Sequence, residues 1–193
     1  MSLVVVTGCM FSGKTEELVR RLRRERYAGR KVQAFKPFSD DRYNATSLAS
    51  HVGSTFEAIP VKDVADLRQQ VGSMDLDVIG FDEAQFMSDE IISFLDDFVN
   101  QGGRVIVAGL DMDYRGQPFG PMPTLLAIAD KALKLHAICV ATRPDGKTCG
   151  GEASRSYRHP TEDSGAQVQV GAAEAYEARC RRCWGEGAKS QAH

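Results

Sequence analysis

The amino-acid sequence predicts an α/β fold: a parallel sheet with helices on both faces, built around a phosphate loop, followed by a small cysteine-bearing lobe. Three observations carry this. The apolar run Val4-Val5-Val6-Thr7 enters Gly8-Cys9-Met10-Phe11-Ser12-Gly13-Lys14-Thr15, a Gly-x-x-x-x-Gly-Lys-Thr pattern set between a strand and a helix. Apolar strands then alternate with amphipathic helices, which implies parallel pairing and a sheet covered on both sides. Four of the five cysteines fall in the last third. The chain accordingly divides into a phosphate-loop α/β domain over 1–132 and a metal-binding lobe over 133–193.

The loop's residue types follow from the chemistry of a polyphosphate. Gly8 and Gly13 let the backbone curl so that successive N–H groups face inward, and the following helix adds the positive end of its dipole. Lys14 would reach the β and γ phosphates as a mobile point charge, and the Thr15 hydroxyl would ligate the magnesium that bridges them. Leu18 and Leu22, four apart, give the helix its apolar stripe. Arg20, Arg21, Arg23, Arg24 and Arg26 share that helix, and without interleaved aromatics they read as a solvated face. Gly29 ends it.

Lys31 to Pro37 reads as a second strand, stopped by proline. Residues 38–56 are polar and turn-rich without periodicity, a long loop. Val61, Val64, Ala65 and Leu67 have helical spacing over 61–71. Asp77-Val78-Ile79-Gly80-Phe81 is an apolar strand that ends in Asp82 and Glu83. A phosphate-loop enzyme needs carboxylates at a neighbouring strand end, and Asp82 would hold magnesium there, directly or through water. Ser88 is a candidate N-cap for a helix with the stripe Ile91, Ile92, Leu95, Phe98 and Val99. After Gly102-Gly103, Arg104 to Leu110 is a buried strand of the parallel type. Asp111 to Pro121 leaves its carboxyl end, where ligands bind in such sheets. A helix through Leu125, Leu126, Ile128 and Ala129 completes the domain near Lys131.

Composition narrows the function classes. With 193 residues and 42% hydrophobic content the chain can bury a real core. The 24 Lys+Arg against 26 Asp+Glu give a net charge of -2, which provides no field for nucleic acid or an anionic membrane. No stretch approaches transmembrane length, and the start at Leu3 lacks the basic flank and cleavage site of a signal peptide. A cytoplasmic protein with reduced cysteines is expected.

In the last third, Cys139 and Cys149 are separated by nine residues, and Cys180-Arg181-Arg182-Cys183 is a tight pair. Brought together by short strands, the two pairs make a tetrahedral thiolate site of the zinc-ribbon kind. Zinc would there supply the stability that so small a lobe cannot get from burial. Four thiolates leave no open position, so the metal would be structural, with free or redox thiols as the alternative. Cys9 stands outside the set. Residues 185–193 read as a frayed tail.

At this point the chain resembles the type II thymidine kinases, from Leu3 to Trp184. The carrying motifs are the phosphate loop, Lys36-Pro37 with Asp41-Arg42-Tyr43, Phe81-Asp82-Glu83-Ala84-Gln85-Phe86, Gly109 to Gly120, and Val170-Gly171 with Glu174-Ala175-Tyr176-Glu177 before Cys180. The resemblance implies a P-loop, RecA-like core with a zinc-ribbon-like lobe that holds a loop over the base. It implies transfer of the ATP γ-phosphoryl group to the 5′-hydroxyl of thymidine, in a homotetramer inhibited by thymidine triphosphate. By the same resemblance Glu83 is the general base, while Gly8 to Thr15 and Asp82 serve ATP and magnesium. Met10, Phe86, Phe119 and Tyr176 would line the nucleoside pocket, and the lid would bring Ser156, Gln169, Val170 and Gly171 to the nucleoside. Without the family, each of these aromatics reads as core.

Two departures accompany the likeness. The family's first cysteine pair is usually a tight Cys-x-x-Cys, whereas Arg143-Pro144-Asp145-Gly146-Lys147 widens it here. Many members also have an Asp where this chain has Val52, so His51 is given no role. The competing reading is a nucleic-acid-stimulated P-loop ATPase with a zinc-ribbon binding module, which near-neutral charge and small size oppose.

Overall fold

The computed structural model describes residues 1–38, 47–49, 55–159 and 175–191. In chain order the elements of the first part are β1 (Ser2–Gly8), α1 (Lys14–Tyr27), β2 (Val32–Pro37), β3 (Ser47–Ala49), β4 (Thr55–Val61), α2 (Val64–Gly72), β5 (Val78–Phe81), a 3₁₀ turn (Ala84–Phe86), α3 (Glu90–Asn100), β6 (Arg104–Gly109), α4 (Met122–Ile128) and β7 (Lys131–Leu135). The lobe follows with β8 (Ala137–Ile138), β9 (Glu152–Ala153), β10 (Arg155–Arg158), β11 (Tyr176–Arg179) and α5 (Arg181–Gln191).

Seven strands form one sheet in the order β3-β4-β2-β5-β6-β1-β7, parallel throughout except for the edge pair β3 and β4. The strands read as continuous apolar runs because both faces are covered. On β1, Leu3 and Val5 enter one core layer with Leu67, Ile91, Leu95 and Leu125, from α2, α3 and α4. Val4 and Val6 point the other way, to Leu18, Val19 and Leu22 of α1. Strand period two thus meets helix period 3.6 on each side of the sheet. Leu22 is fully buried, so truncating it to Ala is expected to cost about 2–5 kcal/mol. β6 lies between β1 and β5, so the carboxyl ends of the phosphate-loop strand and the Asp82 strand flank one crevice.

The structure corrects the sequence reading at several elements. β4 occupies the end of the stretch read as loop 38–56, and it takes Val61 from the expected helix. α2 begins only at Val64, where the Asp63 carboxylate accepts the Asp66 N–H at 2.8 Å. Pro60 and the polar Thr55 and Glu57 had masked the strand. β7, an edge strand with exposed Lys131 and Lys134 that the sequence reading did not name, pairs with β1 and carries the sheet to Leu135. α3 starts at Glu90 with Asp89 as its N-cap and no side-chain cap bond, so Ser88 contributes only its carbonyl, to the Ile91 N–H. Helix α5 runs through most of the stretch read as a frayed tail. Among the described residues no helix is long and apolar enough to cross a membrane.

Several α1 arginines are engaged within the chain. Arg20 and Arg21 pair with Glu17, and the Arg26 guanidinium lies 4.0 Å over the ring of buried Phe56. Arg20, Arg23, Arg24 and Arg26 are exposed, as the solvated face read from the sequence requires, and the pairing with Glu17 is added to it.

Candidate active site

The loop between β1 and α1 is a concavity that only particular residues can make. Gly8 has φ +146°, and a Cβ there would stand 2.3 Å from the Leu135 carbonyl oxygen and 2.7 Å from Ser12 Oγ, so no side chain fits. The Thr7 hydroxyl donates to the Gly109 carbonyl at 2.9 Å and ties the ends of β1 and β6 together. Inside the loop, Lys14 Nζ donates to the Cys9 carbonyl at 2.8 Å. Ser12 Oγ is buried without a hydrogen-bond partner among the described residues, a polar atom left for a phosphate oxygen to meet. Burial pushes the Lys14 ammonium below its ordinary value, opposed by the carboxylates of Glu83 and Asp82.

Across the crevice, Asp82 Oδ2 accepts the Thr15 hydroxyl at 2.9 Å and Asp82 Oδ1 accepts the Glu83 N–H at 3.0 Å. Burial pushes the Asp82 carboxyl up to about 7, with the neighbouring Glu83 charge adding to it, while Thr15 and Lys14 pull the other way. A hydroxyl and a buried carboxylate converging in this way form the hard oxygen donor set that suits magnesium. Glu83 itself has φ 56° and ψ 37°, the left-handed region that a side-chain-bearing residue rarely occupies. The backbone kink turns the chain into the 3₁₀ turn directly after the carboxylate pair.

Gln85, which the sequence reading quoted only as part of a motif, is 2% exposed and fixed at both ends of its amide. Nε2 donates to Glu83 Oε2 at 2.5 Å, and Oε1 accepts the Leu110 N–H at 3.0 Å. Its spacing from Glu83 gave no signal that the side chain would turn back to it. Of the residues expected to line a nucleoside pocket, Phe86 and Phe119 meet edge to face with centroids 5.6 Å apart, Phe119 buried and Phe86 exposed. Ser156 is buried and accepts the Met10 N–H at 3.0 Å, so the lobe is bonded to the phosphate loop itself. Tyr176 is half-buried on β11, opposite Arg158 in the register. Gln169, Val170, Gly171, His51 and the Asp41-Arg42-Tyr43 motif lie outside the described residues.

The four lobe cysteines come together with their sulfurs all within 4.8 Å of one another, and Cys9 is not among them. Cys9 is buried, donates its thiol to the Ala153 carbonyl at 3.2 Å, and is pushed up from the ordinary thiol value by that burial. The widened pair closes through a hairpin. Thr142 and Thr148 form an antiparallel bridge, the Arg143 N–H donates to the Lys147 carbonyl, and the Gly146 N–H closes the turn on Arg143. The intervening residues therefore bulge outward and leave Cys139 and Cys149 adjacent.

The backbone N–H of Gly151 and the guanidinium of Arg143 hold the Cys149 thiol down at about 6, whereas burial and the other thiols push Cys183 up to about 12. Burial raises Cys139 as well, so two of the four facing sulfurs are pushed away from ionisation and one toward it. These four donors fit a soft-to-borderline tetrahedral metal.

The chain is similar to known proteins over most of its length. The thymidine kinase family model matches residues 1–184. A thymidine kinase from Coprothermobacter proteolyticus is 47% identical over 182 residues, covering 92% of this chain and 87% of that protein. Among solved structures, the flagellar accessory protein FlaH from Methanocaldococcus jannaschii is similar over 71% of each chain, at 14% identity and a TM-score of 0.47. On the family match across nearly its whole length and the identity to that relative, the chain belongs to the thymidine kinase family.

Proposed function

We infer that the protein transfers the γ-phosphoryl group of ATP to the 5′-hydroxyl of thymidine, with Glu83 as the base that accepts the hydroxyl proton. The observation that carries this is the placement of Glu83 one residue beyond Asp82. Asp82 bonds Thr15 at the mouth of the phosphate loop, and Glu83 is oriented by Gln85. A carboxylate so placed lies on the side from which an in-line nucleophile approaches a γ-phosphate cradled by the loop.

In this reading the loop N–H groups from Gly8 to Thr15 and the Lys14 ammonium hold the β and γ phosphates and take up charge that builds on the transferred group. Thr15 and Asp82 would hold the magnesium, which when bound screens the phosphate charge. Met10, Phe86, Phe119 and Tyr176 wall the nucleoside, with Ser156 and the segment through Gln169, Val170 and Gly171 closing over it. Glu83 takes the proton as the 5′-oxygen attacks. Cys139, Cys149, Cys180 and Cys183 would hold a structural zinc, which supplies cross-linking of the lobe and no chemistry on the substrate. The reading also carries over the family's homotetramer, its inhibition by thymidine triphosphate, and a cytoplasmic setting.

The test is turnover of ATP with and without nucleoside. A site built for an alcohol keeps water from the attacking position, so phosphate release without thymidine should be slow and thymidine monophosphate should form one for one with ADP. Equal ATP turnover in both conditions would make water the acceptor and the protein an ATPase.

A further inference from the structure

The chain's one tryptophan, Trp184, directly follows the lobe cysteine Cys183, and it does not pack only within its own lobe. Its indole Nε1 donates to the Tyr114 carbonyl at 3.2 Å, across a sequence separation of 70 residues. The ring also lies against the backbone of Gly116. That residue has φ +76°, and a Cβ placed there would come within 3.1 Å of the indole Cη2 and 3.3 Å of Cζ2. The backbone conformation and the contact both call for glycine.

Tyr114 and Gly116 belong to one tight turn. Asp113 closes it: its carboxylate accepts the N–H groups of Arg115 and Gln117 at 2.9 Å each, and its carbonyl accepts the Gly116 N–H at 3.0 Å. Beyond the turn, Met112 bridges to Pro118 and the Phe119 N–H donates to the Asp111 carbonyl, so the position of the turn fixes where Phe119 begins. Phe119 in turn stands edge-on to Phe86. A continuous set of contacts therefore runs from the cysteine cluster through Trp184 and the 113–117 turn to the aromatic wall.

We propose that Trp184 is a positioning residue for the nucleoside pocket: it clamps the 113–117 turn to the cysteine lobe and so sets Phe119. The clamp rests on the reading of Phe86 and Phe119 as walls of that pocket. It acts on nucleoside binding and leaves the phosphate loop alone, because neither Tyr114 nor Gly116 contributes to the cradle for ATP.

The experiment compares Trp184→Ala, Trp184→Phe, Gly116→Ala and Phe119→Ala for the KM of thymidine, the KM of ATP, kcat and bound metal. Displacing a pocket wall through its support should raise the thymidine KM about 10-fold in Trp184→Ala and in Gly116→Ala, while the ATP KM stays within about twofold. Metal content should be unchanged. Trp184→Phe, which keeps an aromatic ring but loses the hydrogen bond and the outer part of the indole that lies against Gly116, should fall between. In Gly116→Ala the added methyl pushes the indole off the turn, so the single-tryptophan emission should shift to longer wavelength. Combining Trp184→Ala with Gly116→Ala should add little beyond either alone, since both break one contact.

A thymidine KM at the wild-type value in the Trp184 and Gly116 variants, with Phe119→Ala raised, would overturn the clamp and leave the pocket standing. An unchanged KM in Phe119→Ala would remove the pocket reading and the clamp with it. If Trp184→Ala does not fold, Trp184→Phe and Gly116→Ala decide between the same outcomes. Proportional rises for ATP and thymidine would mean general loosening and would also overturn it.

Discussion

Gln85 Nε2 donates to Glu83 Oε2 at 2.5 Å, and through the other end of the same amide Gln85 grips the Leu110 N–H at the end of β6. The Glu83 carboxylate is thus referenced to the sheet and not to a loop. Replacing Gln85 by Leu should free the Glu83 carboxylate and lower kcat by about 10–100-fold with little change in the KM for ATP. It should also leave the Leu110 N–H without its partner and cost about 1–3 kcal/mol in denaturant unfolding. Full kcat in this variant would show that Glu83 needs no such support.

Asp82 carries a pH signature. Its carboxyl is pushed up to about 7 from an ordinary value of 3.8, so between these values the folded, ligand-free chain holds a proton that the unfolded chain has released. Stability from this group is greatest on the acid side and declines as pH rises toward 7. Asp82→Asn should flatten that decline, measured as the difference in unfolding free energy between about pH 5 and about pH 8 for the two proteins without ligand. Identical slopes would contradict the raised value.

For the cysteines, one zinc per chain is expected, released by Cys183→Ser and retained by Cys9→Ser, because only the former belongs to the group with sulfurs within 4.8 Å. Metal analysis of purified protein checks it. Zinc held unchanged in the Cys183 variant would refute the set.

Thymine is expected to be gripped by shape, with Phe86 and Phe119 forming an edge-to-face corner that admits a methyl group. One methyl is worth only about 1–3 kcal/mol, so deoxyuridine should be phosphorylated with kcat/KM about 10–200-fold below thymidine. A purine nucleoside should fare far worse, and deoxyguanosine used as well as thymidine would end this account of the pocket.

The parts of this molecule that were legible in the sequence are those in which local pattern and chemistry coincide. The valine run of β1 is buried on both faces, so it reads as a strand, and the residues of the phosphate loop are dictated by backbone shape and phosphate charge. The Cys180–Cys183 pair is a half-site by spacing alone. What stayed hidden depends on distant partners. β4 carries Pro60 and an exposed Glu57, and it becomes a strand only because β2 lies beside it. β7 pairs with β1 across the chain, and nothing in Lys131 to Leu135 names that partner. Ser156 was placed near the nucleoside by resemblance, while its bond to the Met10 N–H joins residues 146 apart. Gln85 was in view but its role was not, since a side chain's direction after a residue with positive φ such as Glu83 does not follow from spacing.

The central claim is that Glu83 removes the proton from the thymidine hydroxyl, and the direct measurement is kcat of Glu83→Gln with ATP and thymidine, alongside equilibrium binding of both. Glutamine keeps the size and most of the hydrogen bonding but removes the basic charge. The account predicts a fall of about 10²–10⁴-fold in kcat with both ligands still bound. A variant that turns over at the wild-type rate would contradict it and transfer the role of base to another group.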